Sequence, residues 1–349
     1  MDKTQSVDVT AALAPYLAPL DAALRAAVQP SAPALANLYG MLHYHLGWAD
    51  QNLAPIAGRT GKRLRPAFCL LACDAVGGDW RQALPAAVGL ELTHNFSLIH
   101  DDIEDGDRER HGRATVWTVW GEAQAINAGD ALFVLARQAL GGLAEHGVAP
   151  DVTLAVLRSY DAACLAITEG QFLDMQFEER LDVTEAEYLR MVGGKTAALL
   201  SACTRIGAQV AGADAALVEG MASFGRLVGL AFQMTDDILG IWGDAARTGK
   251  AAANDIRRRK KSLPIAFALE TARGSAADRL RAIFGQGEVS EDDVAGVLAI
   301  LDDLGARAHT QRLADEYLRQ ALAELAPVAH TQAGTILEAL TRSLAQRER

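Results

Sequence analysis

Proline placement constrains this chain more than any other feature. Six of its ten prolines fall between Pro15 and Pro66, none between Pro85 and Pro150, and none between Pro150 and Pro264. Proline removes a backbone donor and breaks helix interiors, so uninterrupted helices can run through the two long proline-free stretches. Ala and Leu dominate those stretches, and both are strong helix formers. Only 6% of the chain is aromatic and alternating strand-like runs are scarce, so the fold class is all-α. Half of the residues are hydrophobic, ample for a buried core. Short breaks are expected at Gly77-Gly78, Gly141-Gly142 and Gly193-Gly194. From Glu288 to Val328 apolar residues recur at helical spacing with charges on the opposite face. No composition shift marks a linker, so residues 1–349 read as a single domain, with about the first ten loosely ordered.

The net charge of −11 argues against nucleic acid as a partner, because such binding rests on basic patches. An acidic chain that handles an anionic substrate needs local basic residues or metal ions to offset the repulsion. The four cysteines, Cys69, Cys73, Cys164 and Cys203, form no Cys-x-x-Cys pair and have no histidine cluster to complete a zinc site. They read as free thiols suited to a reducing cytoplasm. The start, MDKTQSVDVT, lacks the charged-then-apolar pattern of a signal peptide. No run of ~18 uncharged apolar residues is present, so no membrane span is expected.

Two aspartate clusters follow apolar helical runs. In FSLIHDDIEDGDRERHGRATVW, Asp101 and Asp105 share a helix face at i and i+4, while Asp102 points roughly 100° away in a supporting position. Parallel carboxylates at the end of an apolar helix call for a positive charge between them. Mg²⁺ suits them, since it prefers hard oxygens and typically joins one or two carboxylates to substrate phosphates. The bland alternative is a solvated acidic helix end, as Glu104, Asp107 and Glu109 are close by. In GLAFQMTDDILGIWGD, Asp236 and Asp237 follow Gln233, but position i+4 is Gly240, and Asp244 lies eight residues past Asp236. Basic residues gather in GKRLRP (Lys62, Arg63, Arg65), at Arg110, at Lys195 in GGKTAALLS, at Lys250, and at Lys260-Lys261. Each alone fits a solvated surface charge; a basic group at a helix start also fits a diphosphate.

Together these segments resemble the trans-prenyl diphosphate synthases, the polyprenyl synthetase family. The resemblance runs from about Gly61 to Pro264 in the family's order: GKRLRP, the DDxxD of DDIED, Arg110 nine residues after its first Asp, Gly170-Gln-x-x-Asp174, Lys195-Thr196, Phe-Gln-x-x-Asp-Asp, and a late Gly-Lys. It implies an all-α single-domain helical bundle of the isoprenoid synthase type with a central active-site cavity, usually a homodimer. It implies Mg²⁺ on Asp101, Asp105 and Asp236, with Asp102 and Asp237 as further metal candidates in the same motifs. Arg110, Lys195 and Lys250 would hold the allylic diphosphate (dimethylallyl, geranyl or farnesyl), and Lys260 is a further candidate for substrate binding. Lys62, Arg65 and His94 would hold isopentenyl diphosphate. Thr196 and Gln233 would line the developing allylic cation.

Three departures from the family pattern stand out. His111 replaces the second Arg of an Arg-Arg pair that contacts isopentenyl diphosphate, leaving that contact to Arg113, to His111 or to nothing. Gly240 replaces the last Asp of the second motif. Ala253 replaces the Gly before the late Asp. The family's usual length-setting places, four and five residues before Asp101, hold Ser97 and Phe96. One ring rather than two implies a deeper floor and a C20 product, geranylgeranyl diphosphate, with C15 and C25 as alternatives; alternatively Phe96 packs in the core and another helix sets the floor. Two other classes are open: a terpene synthase on the same fold, which needs no isopentenyl site, and a non-catalytic partner subunit, which would lose aspartates.

Overall fold

The computed structural model describes residues 8–56, 61–243 and 253–345. The element order is α1 (Val9–Ala27), α2 (Ala36–His45), α3 (Leu64–Ala75), α4 (Leu84–Glu104), β1 (Glu109–Arg110), β2 (Arg113–Ala114), α5 (Val116–Trp120), α6 (Glu122–Gly141), α7 (Pro150–Glu178), α8 (Glu185–Val192), a π-helical turn (Gly193–Ala197), α9 (Ala198–Val210), α10 (Ala215–Trp242), α11 (Asn254–Arg257), α12 (Leu263–Thr271), α13 (Ser275–Gly285), α14 (Glu291–Asp303), α15 (Ala306–Leu325) and α16 (Gln332–Ala345). The all-α expectation holds. The proline-free stretches became α4, α6, α7 and α10, each of 20 residues or more. The breaks at Gly77 and Gly141 fall where α3 and α6 end. Gly193-Gly194 differs: the helix carries on through the π turn, because a wider turn absorbs an extra residue without losing the axis. Val9 and Thr10, expected to be loose, already belong to α1, whose N-cap Asp8 accepts from the amides of Thr10 and Ala11.

The chain groups into two compact units. The first comprises Met1–Asp161, Cys203–Glu219 and Thr331–Ile336. Its centre is α4, which packs along α6 and against α1 and α3. Glycine permits the closest approach: a Cβ on Gly89 would lie 2.3 Å from Leu140 Cδ1 and 2.7 Å from the Ala136 carbonyl. Cys69, Cys73 and Cys203 are buried free thiols in this unit. Burial pushes the thiol of Cys73 up to about 12, so it stays protonated.

The second unit comprises Ala162–Ala202, Gly220–His330 and Leu337–Arg349. One of its hydrophobic clusters holds Phe177, Tyr188, Met191, Leu230, Met234 and Leu263. A second gathers Ile256, Ile265, Leu280, Phe284 and Val297. Among the described residues, α10 is the one helix long and apolar enough to cross a membrane, and 56% of its apolar window is buried inside the protein.

Candidate active site

In the first unit, α4 runs apolar and buried until its last turn, then ends at Glu104 with Asp105 as its C-cap. The amide of Asp105 donates to the carbonyl of Asp101 at 2.8 Å, which keeps the expected i to i+4 relation. That last turn carries no basic residue. The negative end of the helix dipole therefore coincides with Asp101 and Asp105, a placement that costs stability unless a cation joins them. Asp102, 1% exposed, behaves differently. It accepts a 2.6 Å bond from Arg110 Nε. Burial pushes its carboxyl up to about 6 against the pull of Arg110.

The basic residues around this turn divide between the open and the committed. Arg65, in the first turn of α3, meets His94 on α4: Nη1 lies 3.0 Å from Nε2. A guanidinium can only donate, so His94 Nε2 is the acceptor and its proton sits on Nδ1. Burial, then Arg65, His45, Arg110 and Arg63, hold His94 well below the usual histidine range. Lys62 is exposed. Arg63 is buried as the α3 N-cap at φ 49 and pairs with Glu91 at 2.5 Å and Asp21 at 3.5 Å, a structural use. His111 and Gly112 form the two-residue turn of the β1–β2 hairpin, with φ 53 and 73. That pattern is the type I′ turn, which matches the twist of paired strands. His111 is exposed at its tip. Arg113 donates to the carbonyls of Tyr44 (3.1 Å) and Ala49 (2.8 Å) and lies 4.1 Å over the Tyr44 ring. Those contacts commit it to holding the hairpin against the end of α2, so Arg113 is poorly placed to replace a missing arginine.

Phe96 and Ser97 also lie in this unit. The Phe96 ring packs on Phe133 of α6 (centroids 4.9 Å) and edge-on to His100 (5.2 Å). Ser97 Oγ donates back to the His94 carbonyl at 2.9 Å.

In the second unit, Lys195 and Thr196 stand on the π turn. Lys195 Nζ donates to Asp174 Oδ2 at 2.5 Å. Gly170, one turn before Asp174, makes this possible: a Cβ there would lie 2.1 Å from the Lys195 amide nitrogen. Thr196 Oγ1 donates to Gln233 Oε1 at 2.9 Å, and Gln233 Nε2 donates to Asp237 Oδ1 at 3.0 Å. Asp237, 1% exposed, also accepts from the Leu263 amide at 2.8 Å and from the Tyr188 hydroxyl. Burial pushes its carboxyl up, while Lys260 pulls it down. Asp236 is half-buried on α10. Against Gly240 sits Asp255 of α11: a Cβ on Gly240 would lie 2.2 Å from Asp255 Oδ2. A carboxylate thus reaches the place of the absent aspartate from another helix. Asp244 and Lys250 lie outside the described residues.

The family model for polyprenyl synthetases matches residues 47–301. The chain belongs to the polyprenyl synthetase family. It is a prenyltransferase. Over 303 residues this polyprenyl synthetase is 42% identical to the geranylgeranyl diphosphate synthase of Mycobacterium tuberculosis, covering 86% of this chain and 84% of that one. Over 286 residues it is 41% identical to the (2E,6E)-farnesyl diphosphate synthase of the same organism, covering 81% and 78%. Its structure matches the crystal structure of a polyprenyl synthetase from Streptomyces coelicolor with a TM-score of 0.88 at 38% identity, over 97% of this chain and 99% of the other. The resemblance read from the ordered motifs is therefore borne out, as is the isoprenoid synthase fold.

The motifs did not reveal His45 or Tyr188, nor that Asp255 would sit against Gly240. His45 ends α2, a helix with no motif of its own, and is held at about 3 by burial and by Arg110, Arg113 and His111. Tyr188 sits in α8 among ordinary core residues, and its phenol is pushed up by burial and by Asp237. Asp255 carried a signal: a late aspartate following a motif that lacks its own last one.

Proposed function

We propose that this polyprenyl synthetase condenses isopentenyl diphosphate with an allylic diphosphate (dimethylallyl, geranyl or farnesyl) and releases an all-trans C20 product, geranylgeranyl diphosphate. The observation that carries elongation is the pairing of Arg65 with His94, close enough to Arg110 for their charges to interact. A basic group distinct from Lys195 and Lys260 serves a second diphosphate, which a terpene synthase does not need. Lys62, Arg65 and His94 hold isopentenyl diphosphate. Arg110, Lys195, Lys250 and Lys260 hold the allylic diphosphate and stabilise the charge that grows on it as it leaves.

Asp101 and Asp105 in the first unit and Asp236 in the second present hard oxygens, which fit Mg²⁺. Among the described residues no three His, Cys, Asp or Glu form a ready cage. Mg²⁺ typically keeps several waters and uses one or two carboxylates with substrate phosphates. Bound there, Mg²⁺ supplies charge stabilisation for the departing diphosphate. The bond from C1 of the allylic chain to the diphosphate oxygen breaks, the isopentenyl double bond attacks C1, and a proton leaves to the released diphosphate. Thr196 and Gln233 line the allylic carbon. Phe96 forms the floor that ends growth at C20.

The family match, residues 47–301, includes residues of both units and supports treating 1–349 as one functional domain. Exposed Ile126 and Val134 on α6 and Leu154 on α7 support a homodimer. Four free cysteines support a cytoplasmic setting. The test is incorporation of labelled isopentenyl diphosphate into prenyl product. A chelator should abolish it and Mg²⁺ restore it, and Asp101→Ala or Asp236→Ala should lower turnover by roughly a hundredfold or more. Near wild-type turnover in either variant removes that residue from the metal site.

A further inference from the structure

Asp237 belongs to an aspartate pair, yet its carboxylate is held by three hydrogen bonds from groups of the second unit. Oδ2 accepts from the Leu263 amide at 2.8 Å and from the Tyr188 hydroxyl; Oδ1 accepts from Gln233 Nε2 at 3.0 Å. Leu263 opens α12, whose N-cap Ser262 makes no side-chain cap bond, so Asp237 caps that helix from α10. Turning Asp237 towards a metal would strip α12 of this partner. The same bonds fix the Gln233 amide. A backbone amide can only donate, which makes Oδ2 an acceptor, and a flipped Gln233 would set its carbonyl oxygen against carboxylate oxygen at 3.0 Å. The Gln233 carbonyl therefore faces Thr196, whose hydroxyl donates to it at 2.9 Å.

We propose that Tyr188 and Asp237 are a buried positioning pair that fixes the Gln233 amide so that its carbonyl oxygen, not its NH2, is presented where positive charge develops on the allylic chain. This rests on the proposed place of Thr196 and Gln233 beside the allylic carbon and adds what holds them there. A preorganised dipole with its negative end towards a forming cation lowers the barrier without reorganising; reversed, it raises it.

The test is steady-state kinetics on the full chain with both substrates varied, beside calorimetry of Mg²⁺ binding with inorganic pyrophosphate as the probe. Asp237→Asn turns an NH2 towards Gln233 and forces its amide to flip. It should lower kcat by about tenfold to a hundredfold, as loss of one oriented dipole does, with both KM values and Mg²⁺ affinity within about twofold of wild type. The double variant Asp237→Asn/Gln233→Glu restores an acceptor facing Thr196 and a donor-acceptor pair behind it, and should regain at least about half of the lost decades of kcat. Tyr188→Phe keeps the packing and should lower kcat by about threefold to tenfold with KM unchanged. Unchanged kcat in Tyr188→Phe overturns the proposal even if Asp237→Asn does not fold. Weakened Mg²⁺ binding in Asp237→Asn, or no rescue in the double variant, also overturns it. Full kcat in Gln233→Leu would instead overturn the placement of Gln233 beside the allylic carbon, a distinct failure.

Discussion

Phe96 is the residue proposed as the floor that sets product length. It leans on Phe133 and His100, so its position is fixed from two sides. Phe96→Ala should lengthen the product by one or more C5 units, and Ser97→Phe should shorten it towards C15; chromatography of the products by chain length checks both. An unchanged distribution in an active Phe96→Ala variant places the floor elsewhere. His45 and His94 make a second residue-scale prediction. Both are held below the ordinary histidine value: His45 by burial and by Arg110, Arg113 and His111, and His94 by burial and by Arg65, His45, Arg110 and Arg63. Below the unfolded value of about 6.5 the unfolded chain takes up protons that the native chain refuses, so stability falls as pH falls, by about 1.4 kcal/mol per pH unit for each group. Asp102 opposes this: its folded value of about 6 lies above the unfolded one, so it favours the native state as pH drops from 6 towards 4. Asp237, also pushed up by burial, acts in the same sense as Asp102, so two histidines stand against two carboxyls. His45→Gln removes one of the histidines, so on going from pH 7 to pH 5 the Tm of the variant should fall less, or rise more, than that of the wild type; an unaltered slope would show that His45 carries no share. Asp101, Lys195, Gln233 and Asp236 were singled out by the ordered motifs of the family the sequence resembles. His45 and Tyr188 were not legible, because burial and a partner distant in the chain give them their properties.

At the scale of elements, glycine decides which segments touch. Gly170→Ala would drive a methyl into the backbone of the π turn at Lys195. Overpacking of this kind costs about 1–3 kcal/mol, and the Lys195–Asp174 bond would be pushed apart. The Tm should fall, and the KM for the allylic diphosphate should rise; a stable variant with wild-type KM would show that the close approach is dispensable. Gly240→Asp restores the family's aspartate but collides with Asp255, so activity should fall rather than rise, as an assay of the folded variant checks. The long helices were legible because proline is missing from them. The π turn was not, since two adjacent glycines signal a break as readily as a widened turn, and only the packing of Gly170 and Gly194 there distinguishes the two. The committed state of Arg113 was hidden for a similar reason: its partners are the carbonyls of Tyr44 and Ala49, more than sixty residues away in the chain.

At the scale of the whole molecule, the basic groups proposed to hold diphosphate in this acidic chain include Arg65 and Arg110 in one unit and Lys195 and Lys260 in the other. Relatives of similar identity carry C20 and C15 names, so overall likeness does not fix product length. The most direct measurement incubates the purified chain and Mg²⁺ with isopentenyl diphosphate and, in turn, dimethylallyl, geranyl and farnesyl diphosphate, then identifies the products by mass. Geranylgeranyl diphosphate as the end product, from farnesyl diphosphate or a shorter starter, is the result expected. A hydrocarbon or alcohol formed from the allylic diphosphate with no isopentenyl unit added would contradict it.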